Sequence, residues 1–293
     1  MVSILIGLGG WGDHDAIYPR GLKTGDRLAH YSKHFPMVEI DSTFYAIQSP
    51  DRMRKWMDDT PPSFKFIVKA YQGMTGHQRG SIGIGQKREE MYEAFIAMLQ
   101  PLIEQDRLAT VLFQYPPWFD CMTKHVMVLR AAKKRMGDIP CALEFRHQSW
   151  WTEAMKDKTL EFMKNEGWMH SVCDEPQAGD GSVPTVAEAT HSELTMVRLH
   201  GRNDEGWNDS GDDNWREVRY LYEYSEAELS EWVPNLKKLQ EQSKQVYVVF
   251  NNNSGGHAAM NAKQLMVLLG QQTPEGKHPI EALPDQVEQL ELF

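Results

Sequence analysis

Apolar and polar positions alternate in short runs rich in β-branched and aromatic residues, and the stretches between the runs carry apolar residues at helical spacing. Eight runs read as strands, at residues 3–8, 37–40, 64–70, 110–115, 141–145, 169–173, 195–200 and 245–251. Ser49-Pro50-Asp51 marks a helix start with proline in its first turn, and residues 88–105 and 225–242 read as longer helices. Eight strands alternating with helices predict a closed (β/α)8 TIM-type barrel, because an open doubly wound sheet rarely needs so many. No linker, repeat or low-complexity tract divides the chain, so residues 1–273 read as one α/β barrel domain and residues 274–293 as a polar tail. Loops are expected at residues 74–86 and 202–216, the second rich in Asn, Asp, Gly and Trp as a binding loop or lid would be.

Composition adds bounds rather than identity. The 293 residues are 41% apolar and 25% charged, enough to bury a sizeable core. A formal charge of −10 argues against broad nonspecific binding to DNA or to an anionic membrane, which depends on basic residues displacing counterions. Cys121, Cys141 and Cys173 are odd in number and show no paired spacing, which suits a reducing compartment. The opening residues 1–8 lack the basic leader of a signal peptide, and no apolar run approaches membrane length. A cytoplasmic location with no membrane partner is the expectation.

Candidate chemistry starts from the run Cys141-Ala142-Leu143-Glu144-Phe145-Arg146-His147, in which strand alternation puts Glu144 and Arg146 on one face. A barrel builds its active site at the carboxyl ends of its strands, and nearly every run ends in a polar group. The second presents Glu39 and Asp41, the third Lys69, the fourth Gln114, the fifth Glu144, Arg146 and His147, and the sixth Cys173 or Asp174. The seventh presents Arg198, His200 and Arg202, and the eighth runs into Asn251 and the Gly255-Gly256 turn. The structural reading of this set is an ion network in which Glu39, Asp41 and Glu144 balance Lys69, Arg146 and Arg198.

Three chemical readings stand beside that network. Glu39, Glu144, Asp174 and His200 could ligate a divalent metal, although the adjacent cations would repel it and no paired-histidine spacing supports it. Glu39 and Glu144 could act as a glycosidase carboxylate pair if they flanked a sugar. In the favoured reading, the Gly201-Arg202 and Gly255-Gly256 turns bind an anion such as phosphate, with Arg198, His200, Arg202 and His257 as donors. Trp11, Phe44, Tyr45, Tyr71, Trp118, Trp150, Trp151 and Trp207 all follow strands, so an aromatic rim suited to bases or sugars is expected.

The segments Gly7-Leu8-Gly9-Gly10-Trp11, Val38-Glu39-Ile40-Asp41-Ser42-Thr43-Phe44-Tyr45, Phe113-Gln114-Tyr115-Pro116-Pro117, Glu144-Phe145-Arg146-His147, Val197-Arg198-Leu199-His200-Gly201-Arg202 and Phe250-Asn251-Asn252 resemble, in order, the successive signatures of the YecE-like family, domain of unknown function 72. The resemblance runs from Gly7 to about Leu269 and implies a TIM-type barrel, with no established activity. Asp41 stands where family members usually have Asn, and Asn253 where many carry Asp. By fold analogy the family looks somewhat like the barrel that includes endonuclease IV, a metal-dependent DNA repair enzyme, whose histidine-rich ligand set does not appear here.

The last five residues resemble the QLxLF peptide by which bacterial proteins dock on the DNA sliding clamp. Leu292 and Phe293 would fill an apolar pocket, with Leu290 beside them and Gln289 bonding at its edge. The combined expectation is a hydrolase resembling a phosphodiesterase, acting on a phosphorylated or nucleic-acid-derived substrate and related to DNA repair. In it Glu144 is base or metal ligand, His200 acid or ligand, and Arg146, Arg198 and Arg202 are anion clamps. A non-catalytic module binding a nucleotide or sugar, and a glycoside hydrolase, are the alternatives.

Overall fold

The computed structural model describes residues 3–78, 86–207 and 215–281. Eight parallel strands close into a barrel in chain order. They are β1 Ser3–Gly9, β2 Met37–Ile40, β3 Lys65–Lys69, β4 Leu108–Gln114, β5 Cys141–Glu144, β6 Met169–Asp174, β7 Leu194–Leu199 and β8 Gln245–Phe250. Closure is direct, because β1 pairs with β2 on one side and with β8 on the other. Every run expected from the alternation of residue types is present, shifted at its ends by no more than two residues. That error is inherent in reading boundaries from side-chain pattern alone.

Alternation sorts the two faces of the strands. Outward residues such as Ile6, Val38, Phe66, Val111, Leu143 and Val197 join the core between barrel and helices, and a second cluster fills the barrel itself. That inner cluster holds Met37, Ile67, Leu112, Ala142, Met196, Tyr247 and Val249, all from the lower inward positions. β1 places Gly7 and Gly9 on this inner face. A Cβ at Gly7 would collide with the carbonyl of Met37, and one at Gly9 would lie 2.8 Å from Asn251 Oδ1. The missing side chains give neighbouring strands room to fill the interior.

The expected helices are present. Pro50–Asp58 begins with Ser49 accepting from the Arg52 N–H, Gln86–Glu104 follows β3, and Glu226–Gln242 opens with a capping box between Ser225 and Glu228. Of the expected tail, the described part runs to residue 281, and the carbonyl of Pro279 accepts from the buried Lys263 ammonium at 2.8 Å. Gln289, Leu290, Leu292 and Phe293 lie outside the described residues. Among the described residues no helix is long and apolar enough to cross a membrane.

Candidate active site

At the carboxyl ends of the strands the inward positions change from apolar to ionic, and Arg198 stands at their centre. Its Nε and Nη2 donate to Glu39 at 2.9 and 2.7 Å, and its Nη1 reaches the two oxygens of Glu144 at 3.1 and 2.9 Å. The carboxamide oxygens of Gln114 and Asn251 accept from Nη1 and Nη2, each at 3.3 Å. All the N–H directions of the guanidinium are thus used. Arg146 repeats the pattern one strand-pair away, donating to Glu144 at 2.6 Å and to Glu175 at 2.8 Å. Ser171 adds a hydroxyl to Glu144 at 3.2 Å.

These partners divide the carboxyl groups by acidity. Burial opposes ionisation of Glu144, yet Arg146 and Arg198 together outweigh it and hold this group well below the usual carboxylate range. Burial prevails at Glu39, pushing it up to about 7 against the pull of Arg198, with Asp41 adding repulsion. It prevails at Glu175 as well, which rises to about 7 despite Arg146. A carboxylate as heavily bonded and as acidic as Glu144 is a poor proton acceptor, whereas a group titrating near 7 is well matched to proton transfer.

Burial and the adjacent Arg146 drive His200 well below its ordinary value, so it is neutral. Its tautomer follows from the surrounding bonds. Asn251 turns its oxygen to Arg198 and therefore its Nδ2 to His200 Nδ1 at 3.1 Å. Nδ1 must accept, which leaves the proton on Nε2, 3.5 Å from Glu144 Oε1. The Arg146 Nη2, 3.0 Å from the same Nε2, consequently meets no lone pair there.

Above this buried layer lies a rim that solvent reaches. Lys69 Nζ donates to Asp41 at 3.0 Å, with the two side chains 16% and 33% exposed. Burial opposes the acidity of Asp41, but Lys69 and Arg198 overcome it, and a hydrogen bond with Glu39 helps hold Asp41 below its usual range. Glu39 and Asp41 therefore form a hydrogen-bonded carboxyl pair, one member buried and the other open. Phe44 lies 5.3 Å from the Lys69 ammonium, and the rings of Trp207 and Tyr220 each sit 6.3 Å from His200.

The expected ion network is present, and it gains Glu175, which alternation extended two residues beyond Cys173 would have placed inward. Other expected groups point elsewhere. Asp174 faces the outer helices, where it accepts from Arg202 at 3.0 Å and from Trp232 at 2.9 Å. Arg202 extends further toward Glu228 and Glu231 and takes no part in the mouth. His147 faces outward with Phe145, and its Nδ1 accepts from the Ser149 N–H at 3.1 Å. Gly255 and Gly256 adopt left-handed backbone conformations, with Gly256 capping the helix His257–Leu268 and donating to the Asn253 carbonyl. The Gly201 N–H is taken by the Tyr224 hydroxyl at 2.9 Å. The anion cradle expected from the two glycine turns is therefore not assembled: the amides of Gly201 and Gly256 are used within the fold, Arg202 is elsewhere, and Arg198 is saturated by carboxylates and carboxamides.

The aromatic rim is likewise divided. Trp150 and Trp151 pack behind the barrel against Phe145, Trp11 meets Trp56 at 5.3 Å, and Tyr45 is 61% exposed. Trp118 edges a separate cavity of about 540 Å³ with Tyr92, Tyr115 and Phe119. Of the expected rim, Phe44 and Trp207 stand beside the charged cluster, Trp207 with its ring centre 5.6 Å from the Arg146 guanidinium.

The expected metal set does not form, because Asp174 points away and Arg198 separates Glu39 from Glu144. The ligand atoms of Glu144, Cys173 and His200 do lie within 4.8 Å of one another. Two guanidiniums already occupy Glu144, and burial pushes the Cys173 thiol well above its ordinary range, so this trio offers a cation a poor set of donors. The guanidinium between Glu39 and Glu144 also fills the place a sugar would need in a glycosidase pair.

The chain is 58% identical over 267 residues, covering 91% of it and 94% of the relative, to the UPF0759 protein YunF of Bacillus subtilis (strain 168). It is 24% identical over 159 residues to the UPF0759 protein YecE of Escherichia coli (strain K12), covering 54% of this chain and 53% of that one. Among solved structures it resembles a DUF72 family protein (EF0366) of Enterococcus faecalis V583, with TM-score 0.85, 34% identity, and coverage of 92% of this chain and 96% of that one. A DUF72 family protein (TM1631) of Thermotoga maritima MSB8 matches with TM-score 0.77 and 32% identity, over 92% of this chain and 99% of that one. The family model described as protein of unknown function DUF72 matches residues 5–286, and the chain belongs to that family.

Proposed function

We propose that the barrel mouth hydrolyses a phosphorylated or nucleic-acid-derived substrate, with the Glu39 and Asp41 carboxyl pair as its acid–base centre. The observation that carries this reading is the pairing of an open, ionised Asp41 with a buried Glu39 that titrates at about 7. Glu39 and Asp41 share one proton: as the oxygen of an attacking water bonds to phosphorus its proton passes through Asp41 to the pair, and as the phosphorus–oxygen bond to the leaving group breaks the pair returns a proton to the leaving oxygen. Lys69 beside Asp41 can hold a phosphoryl oxygen. The carboxamide of Gln114, its oxygen fixed by Arg198, is left with its N–H groups for the substrate. Glu144, assigned the base role from sequence, serves here as the anchor that orients Arg146 and Arg198.

Turnover of a chromogenic phosphodiester and of phosphorylated nucleotides tests the assignment. Asp41→Asn is expected to lower kcat by roughly 10²-fold or more, and wild-type activity to decline above about pH 7 as Glu39 loses its proton. Undiminished turnover in Asp41→Asn rejects the pair as the catalytic centre. A binding module without catalysis is the second reading, favoured by the complete bonding of Glu144, and ligand binding with no turnover would establish it. The terminal Gln289-Leu290-Glu291-Leu292-Phe293 would bring either activity to the DNA sliding clamp, and deleting residues 289–293 should abolish capture by immobilised clamp.

A further inference from the structure

Arg219, 9% exposed at the end of the short helix Trp215–Arg219 that follows β7, has no hydrogen-bonding partner among the described residues. Its guanidinium carbon lies 3.9 Å from the centre of the Trp207 ring. Its Nε is buried and unbonded, and no hydrogen bond or ion pair joins the guanidinium to any described residue. It is close enough to Arg146, Glu175 and Glu144 to feel their charges, but those carboxylates are already engaged by Arg146 and Arg198. Burial accordingly depresses its affinity for the proton.

A guanidinium interacts with its surroundings in two perpendicular directions. The tryptophan ring satisfies its flat face, but the N–H groups radiate in the plane of the cation and a stacked ring gives them nothing to donate to. A buried Nε–H with nothing to donate to is unfavourable unless something compensates. Among the described residues the other arginines at the mouth, Arg146 and Arg198, have carboxylates for their donors, whereas Arg219 has none to give up to an incoming anion. This makes it unlike Arg198, whose donors are all committed.

We propose that Arg219, held flat by Trp207, is the phosphate-binding arginine of the barrel mouth, donating in-plane N–H groups to the phosphoryl oxygens of the substrate. The inference rests on the phosphoryl substrate proposed above and adds the residue that selects for it. Its position on a connection after β7, not on a strand, lets the cation meet the ligand from above while Lys69 and Gln114 meet it from the barrel. A ligand with a neutral group in place of the phosphate would leave the buried Nε of Arg219 without an acceptor, and should bind correspondingly weakly.

Titration calorimetry of the full chain with phenyl phosphate and with a dinucleoside monophosphate separates a monoester from a diester source of the group. Arg219→Gln should weaken binding of the preferred probe by about tenfold or more, with Arg219→Lys intermediate. The same Arg219→Gln protein, without ligand, should melt close to the wild-type temperature, since it gives up its ring contacts, chiefly the stack on Trp207, but sheds a buried charge. A purely structural arginine would lower the melting temperature and leave affinity alone. Unchanged affinity in Arg219→Gln, with Lys69→Met still weakening the probe, overturns the role of Arg219 and leaves the proposed site standing. Wild-type protein that binds neither probe overturns both.

Discussion

Six strands make the same change over one inward step. Met37 is followed by Glu39, Ile67 by Lys69, Leu112 by Gln114, Ala142 by Glu144, Met196 by Arg198 and Val249 by Asn251, each pair two residues apart on one face. That step is about 6.6 Å along a strand, and across it the interior passes from a close-packed apolar layer to a layer of ion pairs. The strands, their twist and their neighbours are common to both layers, so closing the barrel cannot be the reason for the charges. The lower layer shows what the fold requires, and the upper layer shows what it has been made to hold.

The difference is tested most severely at Arg198. Arg198→Met would leave the buried Glu39 and Glu144 without their shared cation, and stability to urea is expected to fall by about 3–5 kcal/mol. Adding Glu39→Gln and Glu144→Gln to that variant should recover much of the loss, because the penalty comes from stranded charge and not from lost volume. Full stability in the single variant would mean that the upper layer is not an interdependent network. Leu112→Ala, one step below Gln114, is expected to cost about 3 kcal/mol through the cavity it leaves. It should retain ligand binding, because nothing in the mouth rests on it alone.

Strand periodicity explains why the centre of the site was legible and its edges were not. Inward placement of Glu39, Glu144, Arg146, Arg198 and His200 follows from counting in twos along β2, β5 and β7, and their convergence follows from barrel closure. The same count carried Arg202 inward too, and it failed because Gly201 adopts a φ of 89° that turns the chain away from the strand path. Arg202 then swings out to Asp174. Glu175 was missed for the opposite reason: alternation continues past the end of β6, where the run of strand-forming residues has stopped. Trp207 is expected at the rim because it follows a strand, but Arg219 and Tyr220 lie further along the same connection, where there is no strand period to count, and the folded chain brings them to the mouth.

The mildest test sharpens the contrast through pH. Glu39 has a pKa of about 7 in the folded protein, above its ordinary value of 4.5, so the folded state holds this proton more tightly than the unfolded chain does. The stability contributed by the protonated group is present below the unfolded value and is lost as pH rises from 4.5 through about 7. Wild-type stability does not display this alone, because the buried His14 and His170, lowered by burial to about 4, contribute in the opposite direction as pH rises toward 6.5. Comparing Glu39→Gln with wild type removes the histidine contribution from the difference. The glutamine variant should gain on wild type as pH rises from 5 to 7, by at most about 1.4 kcal/mol per pH unit. The Leu112→Ala difference, measured in the same urea titrations, should stay flat across that range, because no proton is exchanged in the lower layer. A flat difference for Glu39→Gln as well would mean that Glu39 is ionised throughout, and the acid–base pair with Asp41 would lose its proton donor.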